Sequence, residues 1–121
     1  MGLDTFFRFM TPPGEMAPKL DLTVKHLCGG MFSGDNDGSS FRGKVYDDIV
    51  EEATGGKHTL YEELTTPEVV RKIAEALATY LNKNPDRKEF GQYGCNREEI
   101  VELQKVFDAY GNASAVMVGW W

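Results

Sequence analysis

A chain of 121 residues that is 41% apolar and 26% charged can bury one continuous core but not two ordinary ones, which excludes a disordered, collagen-like or disulfide-dominated protein. Its formal charge of −6 argues against nucleic acid as a partner, because affinity for phosphate backbones comes from Lys and Arg displacing counterions, and favours a basic protein partner instead. No apolar run is long enough to span a bilayer and no export signal opens the chain, so no membrane contact and a cytoplasmic location are expected, with Cys28 and Cys95 reduced.

Residues 1–19 read as an extended N-terminal arm or an edge strand. Phe7 and Phe9 alternate with Arg8, and Pro12-Pro13-Gly14 then breaks any ladder. Leu20 to Cys28 alternates as a strand, with Leu20, Leu22, Val24 and His26 on one face. Residues 29–40 form a glycine-rich loop, and Ser40 is placed to cap a helix running from Phe41 to about Thr54. Val45, Tyr46, Ile49, Val50 and Ala53 make the apolar stripe of that helix. Asp47, Asp48, Glu51 and Glu52 make its wet face, and Gly55 its left-handed terminator.

The stretch from His58 to Leu64 suits a strand or a turn. Thr66-Pro67-Glu68 then marks a helix start, with a hydroxyl cap, a proline where no N–H is needed and an acid at the positive end of the dipole. The helix reaches about Lys83 with Val70, Ile73, Ala74, Leu77, Tyr80 and Leu81 on its stripe. Residues 84–95 read as a loop. Asn96 caps a third helix with stripe Ile100, Leu103, Val106, Phe107 and Tyr110, ended by Gly111. Ala113 to Trp121 reads as a strand central to the sheet with both tryptophans buried. The expectation is a single α+β domain over residues 1–121, a small and mostly antiparallel sheet packed by about three helices.

Gly38 to Lys44 satisfies the first seven positions of a phosphate-cradling loop, but the eighth, which needs a hydroxyl for Mg²⁺, is Val45. Asp35-Asn36-Asp37-Gly38 resembles the start of a calcium loop, yet the twelfth position falls on Lys44 where a bidentate Glu is required. His26, Cys28, His58 and Cys95 are zinc-type ligands without the paired half-site spacing, so no metal and no cofactor are assigned. Phe32, Phe41, Tyr46, Trp120 and Trp121 are read as core.

The expected function is that of a small acidic binding protein, not an enzyme. It works through the loop from Gly29 to Arg42, with Asp35, Asp37, Ser39, Ser40, Arg42 and Lys44 as ligand-binding candidates. Asp47, Asp48, Glu51 and Glu52 form the face for a basic partner. One alternative is a cysteine-dependent hydrolase or transferase, with Cys28 beside Gly29-Gly30 as nucleophile and His58 as its base. Another is a weak divalent-metal site at Asp35 and Asp37. Exposure of the two C-terminal indoles would point toward a dimer.

Overall fold

The alternation of Phe7 and Phe9 with Arg8 does make a strand, β1 (Asp4–Phe9), which sends Thr5, Phe7 and Phe9 into the core and Asp4 and Arg8 to solvent. The computed structural model describes residues 3–9, 27 and 40–121. Of the expected strand from Leu20 to Cys28 only Leu27, which is buried, lies within these residues; the remainder and the loop up to Ser39 lie outside them.

Along the chain follow β2 (Ser40–Arg42), α1 (Gly43–Ala53), β3 (Leu64–Thr65), α2 (Pro67–Lys83), β4 (Glu89–Phe90), β5 (Cys95–Asn96), α3 (Arg97–Asn112) and β6 (Ala115–Trp120). Among the described residues the main sheet has four antiparallel strands in the order β2-β1-β6-β3, and β4 and β5 form a separate hairpin. A single α+β domain with a small antiparallel sheet and three helices results. β6 is interior, as its apolar run predicts. β1 is interior too, which corrects the edge-strand alternative: it pairs with β2 on one side and β6 on the other.

The helix starting at Phe41 needs a second correction. Ser40 does not cap it but pairs with Phe6 in the sheet, and Phe41 pairs with Thr5, so the helix begins only at Gly43. Phe41 is fully buried, with its ring 5.9 Å from Tyr46 and 6.5 Å from Phe7. Burying that ring on the sheet outweighs the weak local preference for an earlier cap. Gly43 is required at the joint because a Cβ there would collide with Oγ1 of Thr5.

The other two helices follow their periodicity closely. The six buried residues of α2 are the predicted stripe, and Thr66 accepts the Val69 N–H at its N-cap. Asn96 closes a capping box at α3, accepting from Glu99 N at 2.9 Å while the Glu99 carboxylate accepts from Asn96 N at 2.8 Å. Gly111, however, does not end α3. It is buried inside the last turn against Arg71 of α2, whose Nη1 donates to the Gly111 carbonyl at 2.7 Å. The left-handed residue that turns the chain toward β6 is Ser114, at φ 58°. Arg97 of α3 reaches back to α2 and donates to the carbonyls of Leu81 and Asn84 at 3.0 and 2.7 Å, closing the C-terminal end of that helix.

The core lies between the sheet and the helices. Phe7 stacks on Tyr110 with centroids 4.4 Å apart and meets Phe107 edge-on at 5.5 Å, tying the central strand to α3. No helix among the described residues is long and apolar enough to cross a membrane.

Candidate functional site

The acidic helix expected to dock a basic partner is largely engaged within the fold. Asp47 accepts from the Thr59 hydroxyl and the Leu60 N–H, both at 2.7 Å, and so anchors the segment that follows α1. Asp48 accepts from Gln92 N at 2.6 Å, holding the β4–β5 turn in which Gly91 takes a φ of 72° that side-chain-bearing residues rarely adopt. Glu52 accepts from the Tyr80 hydroxyl at 2.9 Å and lies 3.8 Å from Arg87. Burial, followed by the hydrogen bond and charge of Glu52, pushes the Tyr80 hydroxyl up to about 12. Asp47 and Asp48 are half-buried rather than solvated, and Glu51 alone of the four makes no side-chain bond among the described residues.

Cys28, Asp35, Asp37 and Ser39, and with them the Cys28–His58 pair and the cation loop, lie outside the described residues. Ser40 is half-buried in β2, and Arg42 and Lys44 are exposed at the start of α1. Cys95 is buried in β5, its Sγ 3.8 Å from the Val45 carbonyl. His58 is half-buried at the rim of a cleft of about 220 Å³ that also takes in Lys57, Glu62, Thr65 and Thr66. Cys95 is not among the residues of that cleft. The lining brings the hydroxyls of Thr59, Thr65 and Thr66 to the same cleft as the His58 imidazole, and the Thr59 hydroxyl is engaged with Asp47. Among the described residues no group of three or more His, Cys, Asp or Glu side chains is arranged to hold a metal ion.

The prominent surface feature lies at one end of the sheet face turned away from the helices. Register puts Phe6, Leu64 and Val118 side by side on this face, with Asp4, Arg42 and Trp120 in the next row. Along β6 the face opens progressively: Val116 is buried, Val118 half-buried and Trp120 exposed. Trp120 is 71% exposed, Leu64 61%, Trp121 48% and Tyr61 38%, which corrects the expectation that both indoles are core. Phe41 and Tyr46 are buried as read, and Phe32 lies outside the described residues.

The cluster is held in place. Gly119 N donates to Glu62 O at 3.1 Å, and a Cβ on Gly119 would lie only 2.6 Å from that oxygen and 2.8 Å from Leu60 O. A glycine there lets the chain from Leu60 to Glu62 approach the end of β6 closely. Tyr61 is thereby brought edge-on to Trp121, with centroids 5.6 Å apart and planes at 71°. Beside them runs an open groove of about 400 Å³ walled by Glu63, Val118, Gly119, Trp120 and Trp121.

The signal for this cluster was present in the sequence. Adjacent residues of a strand face opposite ways, so Trp120-Trp121 cannot both enter one core. Tyr61, Glu62, Glu63 and Leu64 carried no such signal, because their place beside the indoles comes from long-range pairing with β6. No protein-family model matches the chain, and no similarity to a curated protein or to a solved structure is found.

Proposed function

We propose that this chain is a protein-binding domain and that its contact surface is the aromatic cluster at the end of the sheet where β6 finishes, formed by Tyr61, Leu64, Trp120 and Trp121 with the groove beside them. The observation that carries the reading is the exposure of four large apolar side chains that gather at one place, two of them indoles at 71% and 48%. Tryptophan and tyrosine are the residues that most often dominate binding energy, and a contiguous exposed apolar patch is costly to leave in water. The mutual packing of Tyr61 and Trp121 reduces the entropy lost when a partner is bound. Of the loop expected to form the working surface, Ser40 to Arg42 lies within the described residues, and Arg42 shares this face with Trp120 across Asp4.

The proposal includes a protein rather than a nucleic-acid partner, in keeping with the charge of −6, and a cytoplasmic setting, in keeping with two cysteines of which Cys95 is buried. The test is affinity capture with the wild-type chain and with the Trp120→Ala/Trp121→Ala variant, circular dichroism verifying that both are folded. Proteins retained by the wild type and lost by the variant support the reading. Identical retention by both removes it.

A further inference from the structure

We propose that the segment bound on this face is a cationic, arginine-bearing stretch of polypeptide, its guanidinium groups stacking on the indoles and pairing with the carboxylates around them; this rests on the protein-binding reading above. Three acids surround the aromatic cluster. Asp4 is the cross-strand partner of Trp120, Glu63 walls the groove with both indoles, and Glu62 flanks Tyr61 and holds Gly119 through its carbonyl. All three are exposed, and none of their carboxylates has a hydrogen bond or ion pair among the described residues. That sets them apart from Asp47, Asp48 and Glu52, whose carboxylates accept hydrogen bonds from other parts of the chain.

Among the described residues two cations lie near these acids. Arg42 stands opposite Asp4 in the β1–β2 register without forming an ion pair, and Lys57 lies with Glu62 in the neighbouring cleft. Among the described residues that line the groove neither appears, and Glu63 is the charged side chain beside the indoles. A ligand entering the groove therefore meets aromatic faces and a negative charge together. That combination selects a cation with a flat, weakly hydrated head: the ring quadrupole attracts positive charge, and guanidinium can stack on an indole while donating in plane to a carboxylate. Lysine, a compact and strongly hydrated point charge, satisfies the carboxylate but stacks poorly. The acidic balance of the whole chain steers such a segment inward.

The chain contains two tryptophans, Trp120 and Trp121, so indole signals report on this face alone. The experiment titrates the full chain with a short Gly/Pro peptide carrying several arginines, with its lysine counterpart and with its glutamine counterpart. The readouts are tryptophan fluorescence and the two indole N–H resonances. The arginine peptide is expected to shift both resonances, the lysine peptide to bind several-fold more weakly and the glutamine peptide about tenfold more weakly or worse. Glu62→Gln/Glu63→Gln should lower arginine-peptide affinity roughly threefold and flatten its salt dependence with the fold intact.

Equal shifts from the glutamine peptide would overturn the inference and leave a protein-binding face that does not select charge. So would indole shifts that follow protein concentration without peptide, which would show a second copy of the chain on the face. Indoles silent to all three peptides would also overturn it. If Trp120→Ala/Trp121→Ala then retains every captured protein, the protein-binding reading fails as well.

Discussion

Replacing Gly111 by alanine adds one methyl group where α2 and α3 cross, and two opposing effects set the outcome. In a helix interior alanine is favoured over glycine by about 1 kcal/mol, because glycine loses more backbone entropy on folding. At this site the new Cβ would lie 2.8 Å from Cγ, 3.0 Å from N and 3.2 Å from Cα of Arg71. Two of these atoms belong to the backbone of α2 and cannot rotate aside, so the helices must separate. Overpacking of this kind costs about 1–3 kcal/mol, and separation also lengthens the 2.7 Å hydrogen bond from Arg71 to the Gly111 carbonyl. The expected net loss is ~1–2 kcal/mol, or ~3–10 °C in Tm for a domain of this size. Urea unfolding followed by far-UV circular dichroism measures it, with Asn112→Ala in the same turn as an exposed control that changes stability by under about 0.5 kcal/mol. A Gly111→Ala variant more stable than wild type by about 1 kcal/mol would mean that helix propensity alone governs the position, and the close crossing would be refuted.

Asp48→Ala is expected to cost about 1.5–3 kcal/mol, since it removes the charged hydrogen-bond acceptor of the Gln92 N–H; Glu51→Ala, on the same helix, should shift stability by less than about 0.5 kcal/mol. Denaturant titration separates the two, and equal effects would show that Asp48 does not anchor the turn. The Tyr80 hydroxyl, raised from 10.0 to about 12, stays protonated in the folded chain at pH values where the unfolded chain has lost its proton. Its contribution to stability is therefore complete below about pH 10 and declines as the pH rises toward about 12. Comparing wild type with Tyr80→Phe across that window should show a steeper alkaline loss in the wild type, and parallel curves would remove the assignment.

Much of the fold could be read from local pattern because its causes are local. The stripe of α2 from Val70 to Leu81 and the cap at Thr66 lie within a few residues of what they specify, as do the Asn96 box and the alternation of Phe7 with Phe9. Each uses the fixed periods of helix and strand or a hydrogen bond to the nearest unpaired amide. Of the candidate site, the two indoles read as core from their hydrophobicity alone; on α1 the wet face holds for the exposed Glu51 and Glu52, whereas Asp47 and Asp48 are half-buried.

The remaining features depend on what residues distant in sequence place beside a side chain. Ser40 carries the chemistry of a helix cap and became part of a strand because β1 offered Phe6 and Thr5 as partners and Phe41 a buried site. Gly111 looks like a terminator and serves as a seat for Arg71. Asp47 and Asp48 occupy positions that helical spacing assigns to water, and the chain around Thr59 and the turn at Gln92 return to cover them. Trp120 is as apolar as any core residue and is exposed because β6 carries it past the rows of the sheet that are covered. Hydrophobicity and spacing state what a residue favours. The free energy of burial is realised only where another part of the chain arrives to exclude water, and that depends on strand register and helix crossing.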